Sequence, residues 1–154
     1  MTAHAALYTL HLLAALIWVG GMFFAWMILR PAAVATLEAP ARLKLWLEVF
    51  RRFFQWVWPA VLVLPFTGVG MLHMTFASME TAPRYVHMMI GLYVAMLALF
   101  LRVSALLLPQ LRAAVSAENW PEGGAVLGRI RRVVGFNLLI GMALVTIVAI
   151  RPSF

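Results

Sequence analysis

Four long apolar runs, separated by shorter stretches that hold most of the charges, dominate the hydrophobic pattern of this chain. They cover about residues 5–29, 53–77, 85–108 and 133–150. A helix of about 18 to 25 residues is roughly 27–38 Å long, which is enough to cross a bilayer core of ~30 Å. The pattern therefore predicts four transmembrane helices. Pro59 and Pro65 are expected to kink the second of them.

Composition agrees with a chain that folds in lipid rather than in water. Hydrophobic residues make up 65% of the chain and charged residues 11%. A soluble domain of 154 residues could not bury that much apolar surface. The first run is too long for the core of a signal peptide and has no basic segment before it. We therefore interpret residues 1–154 as one all-α transmembrane domain.

The basic residues predict how the helices are oriented. Most arginines lie in the connections between the first and second runs and between the third and fourth, whereas the other side has only Arg84 and Arg151. The positive-inside rule then places both termini in the periplasm, as expected for a bacterial inner-membrane protein. Short connections favour an antiparallel up-down four-helix bundle, with residues 40–52 as an amphipathic lead-in and 116–124 as a loop. Topology and lipid headgroups explain the net charge of +7, so no nucleic-acid partner is expected.

Three of the four histidines lie in the apolar runs at similar depths below the predicted outer face. Counting residues from the ends of the runs places His11 at ~9 Å, His73 at ~6 Å and His87 at ~3–5 Å. An imidazole in hydrocarbon needs a partner, so such residues are functional candidates. We therefore expect a metal or a haem near this face, whereas His4 fits a solvated tail.

A haem is the first hypothesis. The first and third helices of an up-down bundle face each other diagonally, so His11 and His87 could bind one iron from opposite sides. His73 would be an alternative ligand or a partner that fixes a ring tautomer. Ala15 and Gly91 are small enough to leave room for a flat ring. Because the chain has no cysteine, such a haem would be b-type and held without a covalent bond.

Two alternatives to haem stay open. Imidazoles and thioethers are soft ligands for Cu(I), so a copper site of His73, Met74, His87 and Met88 is the second hypothesis. The third is a structural bundle without a cofactor, in which these side chains only pack the helices. Arg84 lies at the outer edge beside His87, where it could pair with haem propionates or serve as an interfacial anchor.

Each run also carries or adjoins a short motif. The motifs are Leu10-His11 with Ile17-Trp18-Val19-Gly20-Gly21, Arg51-Arg52 with Pro59-Ala60 and Thr67-Gly68, Tyr85-Val86-His87, and Arg131-Arg132 with Asn137 and Arg151-Pro152. Together they resemble the HemJ-type protoporphyrinogen oxidases and the related CopD-domain membrane proteins, which are named for copper resistance. The resemblance extends over nearly the whole chain.

The resemblance implies a four-helix inner-membrane protein that binds haem b and oxidises protoporphyrinogen IX. It also implies that His11 is a haem ligand, and His87 with it. Two departures argue against that oxidase activity and leave haem binding open. The family has a lysine early in the third helix, where this chain has Met88-Met89, and a glutamate after the helix-four asparagine, where this chain has Leu138. The name of the CopD-domain proteins implies copper transport.

Taken together, the sequence predicts an inner-membrane protein that holds haem b and acts in electron transfer or oxidation. The substrate would be small and accessible from the membrane, such as a porphyrinogen, a quinone or superoxide. Such a protein would be a haem-dependent oxidoreductase. Copper binding or transport of the CopD kind is the alternative, and a homo-oligomer stays open.

Overall fold

The computed structural model describes residues 2–76 and 78–150 and contains four long helices. Helix α1 spans Ala3–Thr36, α2 Ala39–Thr75, α3 Arg84–Ser116 and α4 Trp120–Ile150. Each is long and apolar enough to cross a membrane, and the described part of the chain has no β-strand. The prediction of an all-α four-helix membrane bundle is confirmed. Ala77, the predicted end of the second span, and Arg151 and Pro152 lie outside the described residues.

The helices are longer than the predicted spans. They contain 31 to 37 residues and are therefore roughly 47–56 Å long. The predicted loop 116–124 is too long: the connection contains only residues 117–119, since α4 begins at Trp120. Asn119 caps this helix because its Oδ1 accepts a hydrogen bond from the backbone N–H of Glu122 at 3.2 Å. Pro121 then occupies the first turn, where its missing N–H costs nothing.

The bundle has two distinguishable ends. We call the end with connections 37–38 and 117–119 the basic end, and the end with connection 76–83 the histidine end. At the basic end the amphipathic start of α2 packs against α3 and α4 through a cluster of buried residues. Its members include Leu43, Trp46, Phe50, Leu111, Val126 and Ile130. The predicted lead-in is therefore part of the helical core.

A second buried cluster fills the middle of the bundle. Trp18 is its largest member and makes edge-to-face contacts with Tyr93 and Phe100, at ring-centroid distances of 6.2 and 6.0 Å. The helices pack closely where glycines face large side chains: a Cβ built on Gly135 would lie 2.9 Å from Cη2 of Trp26. Helix α1 packs mainly on α2, and α3 mainly on α4, whereas α1 and α3 lie diagonally across the bundle.

The outer surface of the bundle is apolar. Large side chains point outward on every helix, among them Leu16, Leu62, Phe66, Val94 and Leu139, and Phe66 is 78% exposed. A protein in water would bury such residues, but lipid solvates them. This surface agrees with a multi-pass membrane protein.

Candidate functional site: an apolar cavity around His11

A cavity of about 340 Å³ lies at the histidine end of the bundle, between the diagonal helices α1 and α3. All four helices contribute to its walls, which are almost entirely apolar. The lining residues that carry a polar or sulfur-containing side chain are His11, Trp18, Tyr93, Met89 and Met96. An apolar cavity with a few convergent ligand groups is the usual form of a small-ligand site.

A second cavity of about the same volume lies nearer the basic end. Aromatic side chains make up much of its wall, including Phe50, Phe53 and Trp56, and no histidine lines it. The cavity that contains His11 is therefore the candidate site.

His11 is held by a hydrogen bond between helices α1 and α2. Its Nδ1 lies 2.8 Å from the Oγ1 of Thr67, which is only 2% exposed. Thr67 in turn donates to its own helix, to the carbonyl oxygen of Val63 at 2.7 Å and to that of Leu64 at 3.1 Å. This hydroxyl therefore connects the imidazole to the backbone of α2.

The hydrogen bonds determine the tautomer of His11. A threonine hydroxyl has one proton, and here it is directed to the backbone of α2. Thr67 can then only accept from the imidazole, so Nδ1 of His11 carries the ring proton. The other ring nitrogen, Nε2, keeps its lone pair and is the atom of this ring that can bind a metal.

Tyr93 compensates for a proline on the facing helix. Pro65 has no N–H and so leaves the carbonyl of Val61 without its helical partner. The Tyr93 hydroxyl donates to that carbonyl oxygen at 2.7 Å. This bond joins α3 to α2 beside the cavity and fixes the position of the Tyr93 ring in its wall.

The structure brings two of the predicted site residues, His11 and Ala15, to the cavity. The others are exposed on the outside of the bundle: His73, His87, Arg84, Gly91, Met74 and Met88. The Nδ1 of His87 lies 3.4 Å from the carbonyl oxygen of Pro83, just before α3. Ligation by His73 or His87 stays a prediction.

Four residues of the site, Thr67, Met89, Tyr93 and Met96, were not predicted. The last three are spaced i, i+4 and i+7, so they share one face of α3. That spacing is visible in the sequence. The sequence does not show that this face, and not the face of His87 and Met88, points to the bundle interior, because α3 is apolar on all sides.

The ligand chemistry of the cavity is neutral. No group of three His, Cys, Asp or Glu side chains that could hold a metal occurs within residues 2–76 and 78–150. A cavity with one imidazole and two thioethers does not need such a group to bind a soft monovalent ion. It is a poor site for a hard divalent ion, which prefers carboxylate oxygens.

The fold and the cavity define a small four-helix membrane protein with imidazole and thioether groups around an apolar cavity. The family model of copper resistance protein D matches residues 47–151, which is more than half of the chain. The chain therefore belongs to the copper resistance protein D family, and the resemblance to CopD-domain proteins is confirmed. The match begins inside α2, so His11 lies outside it. Neither a curated protein nor a solved structure matches the chain.

Proposed function

We propose that this chain handles copper in the membrane and holds Cu(I) as its cargo in the His11 cavity. The Nε2 of His11 and the thioethers of Met89 and Met96 would be the ligands. The observation that carries the proposal is that these soft groups line one apolar cavity in a member of the copper resistance protein D family.

The charge balance of the cavity favours Cu(I) over divalent metals. None of the residues that line it carries a carboxylate or a thiolate, so the protein would not neutralise the charge of the ion. An unneutralised charge is costly in an apolar environment, and the cost is lower for one charge than for two. A monovalent soft ion therefore suits this cavity best.

The test is a competition for Cu(I) under anaerobic conditions. The full chain, purified in an uncharged detergent, would be titrated against the chromophoric chelator bicinchoninate in the presence of Cu(I). We expect one ion per chain. H11A and the double variant M89L/M96L should each weaken Cu(I) binding by at least about tenfold. Loss of a residue that only hydrogen-bonds to a metal ligand already lowers metal affinity by about that factor, and these variants remove proposed ligands themselves.

His73 and Met74 provide matched controls, because both are exposed and neither lines the cavity. H73A and M74L should bind Cu(I) as the wild type does. If the controls lose binding while H11A keeps it, the ion lies among the predicted outer residues and the cavity is not the site. If the wild type does not compete with the chelator, the copper proposal is wrong.

Haem b is a second candidate, favoured by one observation. The His11 ring has a free Nε2, and the small residues Ala15 and Gly68 also line its cavity. His87 does not line this cavity, so a haem bound inside it would take a thioether of α3 as its second ligand, a combination known for haem iron. The pairing of His11 with His87 stays a prediction. Bound haem would supply one-electron chemistry, and the oxidoreductase and electron-transfer predictions depend on it. A Soret band after haem-replete expression, lost in H11A, would support this candidate.

A further inference from the structure

The arginines of the bundle fall into two groups. Most are exposed, and three of these form the ion pairs found among the described residues: Arg51 and Arg52 with Glu48, and Arg129 with Glu122. Three others, Arg30, Arg42 and Arg131, are partly buried, and no carboxylate in the described part of the chain lies within 4.0 Å of them. Burial of a cation without a counter-ion is costly, so this second group is unusual.

Contacts place these three arginines on neighbouring helices at the basic end. The Arg30 guanidinium lies over the Trp26 ring, 4.7 Å from its centroid. That ring packs against Gly135, one turn along α4 from Arg131. Arg42 donates through Nη1 to the carbonyl oxygen of Leu37, in the connection between α1 and α2, at 3.3 Å.

The three positive charges repel one another. The Trp26 ring touches both Arg30 and the turn of α4 that follows Arg131, and Arg42 lies in the first turn of α2 at the same end of the bundle. The charges of Arg30 and Arg42 both act unfavourably on that of Arg131. Three partly buried like charges on α1, α2 and α4 work against the packing of those helices. An anion that bridges them would remove the repulsion and supply the missing hydrogen-bond acceptors.

We propose that Arg30, Arg42 and Arg131 form a binding site for a phosphate group. Guanidinium groups match phosphate oxygens with paired hydrogen bonds, and three of them match one tetrahedral group with several acceptors. The group would come from an anionic phospholipid, because the basic end is predicted to lie at the cytoplasmic headgroup layer, or from a free phosphate. The site is separate from the copper proposal, since these residues line neither cavity.

The test measures the thermal unfolding midpoint of the full chain in an uncharged detergent. Three additions are compared: phosphatidylglycerol, a diacylglycerol with the same acyl chains, and inorganic phosphate at constant ionic strength. Phosphatidylglycerol in hundredfold excess over its Kd should raise the midpoint by roughly 5 °C or more, and the diacylglycerol should not. A rise with phosphatidylglycerol alone identifies a lipid headgroup, and a rise with inorganic phosphate as well identifies a site for free anions.

Adjacent residues of α4 give the matched pair. Arg132 is exposed whereas Arg131 is partly buried, so R131Q and R132Q remove the same charge from neighbouring positions. R131Q should weaken the apparent Kd by about tenfold or more, and R132Q should leave it nearly unchanged. R42Q provides the same measurement if R131Q does not fold. Equal losses in R131Q and R132Q, or no rise with either phosphate source, would overturn the proposal.

Discussion

The imidazole Nδ1 of His11 and the hydroxyl of Thr67 lie 2.8 Å apart and join α1 to α2 at the cavity wall. Thr67 donates its own proton to the backbone of α2, so it acts toward His11 as an acceptor. The bond thus fixes both the rotation of the ring and the nitrogen that carries the proton. Partners of this kind set the geometry of metal-binding histidines in many sites.

Substitution of Thr67 should change metal binding without removal of any proposed ligand. T67V keeps the shape of the side chain and loses the acceptor, so we expect Cu(I) affinity to fall by roughly tenfold. T67S keeps the hydroxyl and should restore most of the affinity. The chelator competition described above measures both variants. T75V is the control, because Thr75 is exposed and its contact, at 3.4 Å, is to His4. A T67V protein with wild-type affinity would show that the bond has no role in the site.

Two adjacent methionines distinguish the cavity from the predicted outer copper site. Met89 lines the cavity, whereas Met88, about 100° further round α3, is exposed. M89L should therefore weaken Cu(I) binding by several-fold or more, and M88L should not, since leucine replaces each thioether with a similar volume. The reverse result would place the ion beside His87, as the sequence predicted.

The Met88 and Met89 pair also shows how much of the site could be predicted from the sequence. Run lengths give the number of helices, and residue counts along a run give the depth of each histidine. The sequence does not predict which face of a helix points to the bundle interior when that helix is apolar on all sides, because no polar face marks its exterior. One residue corresponds to a turn of about 100°. His11 and His87 were therefore predicted at similar depths, but only His11 lines the cavity.

The helix ends show a second limit of the sequence. Residues 40–52 and 120–132 contain most of the arginines of the basic end and were assigned to a lead-in and to loop or flanking chain. In the structure they extend α2 and α4, because Leu43, Trp46, Val126 and Ile130 form a buried cluster beyond the predicted spans. When helix ends are predicted from the length of the apolar run, each helix is taken to end at the first charged residues. The prediction then misses helical turns that lie beyond those charges and pack in the core.

The hydrogen bond from Tyr93 to the Val61 carbonyl can be tested with a double-mutant cycle. Y93F leaves this carbonyl without a donor and should cost about 1 kcal/mol of unfolding free energy. P65A supplies a backbone N–H that can form the helical bond to Val61, so Y93F should cost less than half as much in the P65A background. Unfolding in mixed micelles with a denaturing detergent would measure the four proteins. Equal costs in both backgrounds would mean that Pro65 is not the reason for the tyrosine bond.

Two glycines should respond in opposite ways to alanine. At Gly135 an added Cβ would lie 2.9 Å from Cη2 and 3.1 Å from Cζ3 of Trp26, so the indole or the helices must move. Overpacking of this kind costs roughly 1–3 kcal/mol, and G135A should lower the unfolding midpoint. At Gly91 an added Cβ meets nothing within 4 Å, and alanine is the better helix former by about 1 kcal/mol. G91A should therefore leave the midpoint unchanged or raise it. A loss of stability in G91A would show that another group packs against this face of α3. The haem hypothesis expects such a group, because it places the flat ring beside Gly91.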